Sequence, residues 1–139
     1  MRFLLDTNVV SELTKLQPNE AVVRWFATAE EDDLFLSVIT LAEVKYGLER
    51  LEAGARRTIL EQWVTEYLEA RFEGRILAVD ERVAQAWAKI VVPSEKLGKR
   101  MAIMDAFQAA TAEVNGLALV TRDEEDFSEF PGAIVNPWK

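Results

Sequence analysis

The chain has no cysteine and no histidine. The first absence excludes disulfides and thiol chemistry, although it leaves the compartment open. The second removes the commonest general base near neutral pH and argues against a zinc site of the usual histidine-rich kind. Long apolar runs are missing as well. No stretch approaches the roughly 18 residues that a membrane span needs. Arg2 is followed by only three apolar residues before Asp6, too few for the core of a signal peptide. These absences predict a cytoplasmic protein with no membrane partner. Basic residues are the minority, 16 against 24 acids, for a net charge of −8. That argues against holding nucleic acid through overall charge. It leaves room for a local basic patch, or for an acidic site that meets phosphate through metal ions.

What remains is an ordinary globular balance, half apolar and 29% charged. At 139 residues, with no repeat, linker or low-complexity tail, one domain over residues 1–139 is expected. Short apolar runs bounded by turn residues predict strands at Phe3–Leu5, Leu34–Val38, Ile76–Val79 and Leu117–Val120, with a last edge strand at Ala133–Val135. Helical spacing lies between them. Val9–Leu16 and the Val22–Phe26 region give two short helices. Leu41, Val44, Leu48 and Leu51 mark a helix that Thr40 starts, with Glu43 completing a capping box. Ala53–Glu69 carries a stripe of Ile59, Leu60, Trp63, Val64, Tyr67 and Leu68. A helix from Asp80 ends at Pro93, and Met101–Val114 is stopped by Asn115-Gly116. Lys96, Lys99 and Arg100 fall in the loop between those two. Strands alternating with helices predict an α/β fold: a mostly parallel sheet of four to five strands between helical layers.

Parallel strands joined by right-handed crossovers present their carboxyl ends along one edge, where open sheets keep their functional crevice. Asp6, Glu43 and Asp123 each follow such a strand. Asp105 lies early in the helix that runs back to the Leu117 strand, so it reaches the same edge. Four carboxylates in one crevice repel each other, and a cation or protonation must relieve that. Oxygen donors suit magnesium or manganese, and such an ion can activate water against a phosphodiester. Each acid also has a structural reading. Asp6 serves a turn, Glu43 answers Thr40, Asp105 favours a helix start, and Asp123 is a turn residue with Asp126 as an equally good acid nearby. Thr7, Asn8 and Thr121 fit a shell that orients carboxylates or waters, and equally fit ordinary caps. Lys96, Lys99, Arg100 and Arg122 are candidates for phosphate contact.

At this point the spacing resembles a known family. Leu5-Asp6-Thr7-Asn8, then Ser37-Val38-Ile39-Thr40-Leu41-Ala42-Glu43 with Tyr46-Gly47, Asp105-Ala106 with Ala109-Ala110, and Thr121-Arg122-Asp123 with Asp126-Phe127 are similar to the PIN-domain ribonucleases. The likeness is to the VapC-like toxins of type II toxin–antitoxin systems, FitB-like members included. One departure is Ala102-Ile103-Met104, where relatives often carry a proline before the third acid. The resemblance implies a three-layer α/β/α PIN-like fold and a divalent-metal-dependent endoribonuclease. It implies magnesium or manganese on Asp6, Glu43, Asp105 and Asp123, with Thr121 supporting the cluster and Asp126 beside it. It further implies an RNA substrate, a cognate antitoxin, a homodimer, and operator DNA bound only through the antitoxin complex. Two rivals stand beside it. One is a non-catalytic interaction domain that holds a protein partner through the helices of residues 40–70. The other is a phosphatase-like enzyme with Asp6 as nucleophile, for which a second aspartate is expected where Asn8 stands.

Overall fold

A computed structural model describes the whole chain, Met1–Lys139. Its centre is β1 (Phe3–Leu5), flanked by β2 (Leu34–Ser37) and β4 (Ala118–Val120), with β3 (Ile76–Leu77) and β5 (Ile134–Val135) at the edges. All four pairings are parallel, in the order β3-β2-β1-β4-β5. The chain winds outward on one side of β1 through β2 and β3, then crosses back to β4. Winding therefore reverses beside β1, and such a reversal opens a crevice beyond the strand's carboxyl end. Asp6 is the first residue there, and its N–H still continues the ladder to the Val120 carbonyl at 2.9 Å.

The strands are short and, apart from Ser37 at the end of β2, apolar because both faces are covered. Leu4 and Leu119 face one layer, made by α5 (Glu81–Lys96) and α6 (Ile103–Val114) with Phe127 and Phe130. Leu5, Leu34, Leu36 and Val120 face the other. There they meet α1 (Thr7–Glu12), α2 (Glu20–Thr28) and the far end of α4 (Ala55–Gln62), which continues as a wider π-helical stretch over Trp63–Glu69. Leu4, Leu5 and Leu119 are completely buried. Each contributes about 1.5–3 kcal/mol by leaving water. The three-layer parallel architecture is the one the sequence predicts.

Several local expectations are corrected. Pro93 does not end its helix, because α5 runs through it to Lys96. Ile90, Val91 and Ser94 are buried around it, and the Ser94 hydroxyl donates to the Val91 carbonyl at 2.8 Å. Packing against α6 outweighs proline's intrinsic cost of about 3 kcal/mol. Lys96 thus belongs to the helix end and not to the loop of Lys99 and Arg100. The helix before residue 50, α3 (Val38–Glu49), begins two residues earlier than Thr40. Its cap is Ser37, whose hydroxyl accepts from the Thr40 N–H, so no Thr40–Glu43 capping box forms and Glu43 lies on the second turn. Next, α6 begins at Ile103 without a side-chain cap, while Met101 is buried beneath the incoming loop. Ile59 leaves the expected apolar stripe and is exposed. The stop at Asn115-Gly116 is as expected. Gly116 takes a φ of 64°, and Gly116 and Leu117 N–H donate back to Glu113 and Ala112, closing a Schellman turn.

Candidate active site

Asp6 is the deepest acid of the crevice, only 5% exposed. It caps α1, with Oδ1 accepting from the Thr7 N–H at 2.8 Å. The Thr121 hydroxyl donates to Oδ2 at 2.8 Å. Burial pushes its carboxyl above the usual aspartate range, and the charges of Glu43 and Asp123 push the same way. The hydrogen bonds from Thr121 and Thr7 act against this.

The other acids arrive on separate elements. Glu43 comes from α3 and accepts from the Thr7 hydroxyl at 2.7 Å. Asp123 leaves β4 by a turn whose N–H donates to Thr121 Oγ1 at 3.0 Å, and its carboxylate accepts from the Asn8 amide at 3.0 Å. Asp105 is half-buried on the first turn of α6. Burial, and then the charges of Asp6, Asp126, Glu43 and Asp123, lift its carboxyl to about 6. Five acids from four stretches of chain, Asp123 and Asp126 sharing one turn, therefore form one electrostatic neighbourhood. Thr7, Asn8 and Thr121 stand among them as hydrogen-bond donors to the carboxylates.

The donors available to an ion are all oxygen, which suits a hard divalent cation. No three acidic side chains are drawn into a closed ligand group. That openness is compatible with magnesium, which usually takes one or two carboxylates directly and keeps several waters. The raised Asp105 carboxyl is a further fit, since a nearby positive charge relieves the repulsion that lifts it.

Of the candidate cations, Lys99 and Arg100 line an open cleft of about 660 Å³ with Asp105, Asp126 and Ser128. Arg122 lines a smaller opening with Asp123 and Asp126, its guanidinium 5.4 Å over the Trp138 ring. Lys96 lines neither. Sequence reasoning missed three contributors. Gln108, fully buried on α6, reaches Asp6 and the start of α3. Gln108 and Thr111 are the two polar residues in an otherwise alanine-rich buried run, the first of them one turn after Asp105, and that was a readable signal. Arg56 shares a groove of about 270 Å³ with Glu43, Ser11, Leu48 and Trp63. Glu12 is buried at the end of α1, the helix that Asp6 caps, accepting from Lys15 Nζ at 2.8 Å and the Asn19 N–H at 2.9 Å. Nothing in the local pattern distinguished those two.

A parallel sheet with acids gathered beyond its central strand is the arrangement of the PIN domain, whose family description matches residues 3–133. The toxin FitB of Neisseria gonorrhoeae is 40% identical over 135 residues, 97% of each chain. The VapC ribonuclease Y4jK of Sinorhizobium fredii is 36% identical over 136 residues, 98% of this chain and 97% of its own. A solved structure of FitAB bound to a DNA fragment superposes with a TM-score of 0.93 at 39% identity, covering 99% of this chain and 96% of that one. The chain belongs to the PIN-domain family, among its VapC- and FitB-like toxins.

Proposed function

We propose that the protein is a divalent-metal-dependent endoribonuclease, the toxin of a toxin–antitoxin pair, and that Asp6, Glu43, Asp105 and Asp123 hold magnesium or manganese. The observation that carries this reading is the Asp105 carboxyl, lifted to about 6 by burial and by four neighbouring acids. Such a concentration of like charge suits a site that is completed by a cation. A bound divalent ion supplies an acidified water and offsets the charge that builds on a phosphodiester under attack. The chain's own residues supply position. Thr121 and the Thr7 N–H hold Asp6 from two sides, the Thr7 hydroxyl turns Glu43, and Asn8 steadies Asp123. Lys99 and Arg100 offer positive charge where a strand enters, which counters the repulsion between an acidic protein and RNA. Asp126 contributes field beside Asp105, and Arg122 offers a second phosphate contact.

The relative FitAB is a complex bound to DNA. By that likeness the protein works with a partner protein and meets DNA in its company. In the toxin reading that partner is a cognate antitoxin, and the chain pairs with a second copy of itself. The groove between Glu43, Leu48 and Trp63 favours a second reading, an interaction domain whose residue 40–70 helices hold a protein. One experiment separates the two. Total RNA is incubated with purified chain, with and without EDTA, and the cut sites are mapped beside Asp6→Asn. Divalent-dependent cuts that vanish in the variant support the nuclease. If folded Asp6→Asn cleaves at the parental rate, the nuclease is refuted.

A further inference from the structure

The acidic pattern leaves one contact to Asp6 unexplained. Gln108 is completely buried on the layer of α6 that faces the sheet. A buried amide without partners is costly, so its bonds decide its role. Its Oε1 accepts from the Ser37 hydroxyl at 2.6 Å. Its Nε2 donates to Thr40 Oγ1 at 2.6 Å and reaches Asp6 Oδ1 at 3.5 Å.

The network has a direction. Ser37 Oγ accepts from the Thr40 N–H at 3.3 Å and donates its one hydrogen to Gln108 Oε1. The Asp6 carboxylate fixes which end of the amide faces Ser37. The reversed amide would set its oxygen against the Asp6 carboxylate, oxygen against oxygen. Thr40, accepting from Gln108, keeps its own hydrogen for the Leu5 carbonyl at 3.4 Å. Gln108 therefore grips Asp6 twice, directly at the carboxylate and through Thr40 at the preceding peptide. It also ties the end of β2 and the first turn of α3 to α6, the helix that carries Asp105. Both its donors are neutral, so Asp6 is oriented without being neutralised.

We propose that Gln108 is a positioning residue for the acidic cleft, and that its amide, held by Ser37, presets Asp6 relative to Glu43 and Asp105 for a divalent cation. This rests on the metal-dependent reading above. Without the amide, Asp6 keeps Thr121 on Oδ2 and the Thr7 N–H on Oδ1 but loses the second donor to Oδ1 and the brace that Thr40 gives the preceding peptide. The cost falls on cation affinity, because the carboxylate must be ordered when the ion arrives.

The test uses the full chain, with Mn²⁺ alone as the probe and free ion measured by electron paramagnetic resonance. Circular dichroism first fixes a temperature at which every variant is folded. Gln108→Met keeps the length of the side chain and removes all three hydrogen bonds. The Mn²⁺ dissociation constant is expected to rise about tenfold, in the range typical for losing a partner of a metal-ligating residue. The Mn²⁺ concentration for half-maximal RNA cleavage should rise in parallel, with the rate at saturating Mn²⁺ falling by about twofold at most. Ser37→Ala, which leaves Gln108 in place but removes the donor to its amide oxygen, should give a smaller rise in the same direction. It carries the test alone if Gln108→Met does not fold. A lower melting temperature with Mn²⁺ affinity unchanged in the folded variants means packing only and overturns the proposal. If the parent binds Mn²⁺ no better than Asp6→Asn, the metal-site reading itself fails and takes this inference with it.

Discussion

Asp105→Asn should make the metal-free protein more stable while removing its RNA cleavage. The carboxyl of Asp105 rises from 3.8 to about 6 on folding. A folded-state value above the unfolded one means that the native protein takes up the proton more readily. The stability gained from the protonated form is then fully present below about 3.8 and is lost as pH rises through about 6. Above that, the ionised group is a constant burden. A shift of about two units corresponds to about 3 kcal/mol at 1.36 kcal/mol per unit. Asp105 is only half-buried, and solvent screening reduces this to about 1–2 kcal/mol. Asparagine has the shape of the protonated acid and carries no charge to disfavour. In EDTA at about pH 8, the variant should melt about 3–6 °C higher than the parent. The difference should shrink steadily as the pH is lowered towards 4, where parent and variant become electrostatically alike. Adding Mn²⁺ should stabilise the parent and close the gap from the other side. Urea or thermal melts followed by circular dichroism at several pH values suffice. An Asn variant no more stable than the parent at pH 8 without metal would show that the acids do not strain the fold, and the case for a cation-completed site would lose its main support.

The remaining outcomes are simpler. Thr121→Val removes the donor to Asp6 Oδ2 and strands the Asp123 N–H, so it should cost about 1–3 kcal/mol in urea melts and depress cleavage more strongly than it depresses stability. Replacing Lys99 and Arg100 together by alanine should weaken RNA binding across sequences. A plot of log affinity against log salt should flatten by about 1.4–2 units, and an unchanged slope would place both residues outside the substrate path. Glu31→Gln breaks a two-pronged pair with Arg71 and a contact to Arg75 on a partly exposed face. It should cost about 1 kcal/mol in a chemical melt and leave cleavage unchanged.

The layout of the fold was legible because burial on both faces of a parallel sheet leaves no room for alternation. Phe3-Leu4-Leu5 and Leu117–Val120 read as strands for that reason, and the acids that follow them mark the strand exits. Their convergence also followed from sequence, since parallel connections send every exit to one edge. Short-range rules failed where distant packing decided the outcome. Pro93 was read as a terminator because proline lacks the N–H, yet α5 continues where Ile90 and Val91 are held against α6. Thr40 and Glu43 have the spacing of a capping box, but Ser37, three residues earlier at the end of β2, caps the helix instead. That frees Glu43 to meet Thr7 from another element. The place of Gln108 in an alanine-rich helix was legible, but its partners lie 68, 71 and 102 residues away, and no local pattern reports which bonds folding creates.

The acids of this chain divide by the company they keep. Lys15 holds the Glu12 carboxyl below its usual range, Arg71 and Arg75 do the same for Glu31, and Lys139 does so for Glu124. These are pairs in which the protein supplies its own countercharge. Asp6 and Asp105 move the opposite way, pushed up first by burial and then by neighbouring acids, Glu43 and Asp123 for Asp6 and Asp6 foremost for Asp105. The groups that hold Asp6 are Thr121, the Thr7 N–H and Gln108, all neutral. A chain able to place arginine against Glu31 on its surface could equally have placed one against Asp6. Doing so would have stabilised the fold by removing an uncompensated buried charge. Neutral donors orient a carboxylate and leave its charge available, which is the property a site needs if its countercharge is to come from outside. Only the second arrangement gives the crevice a reason to bind a cation, and it locates the cost of function in the same two acids whose substitution should stabilise the empty protein.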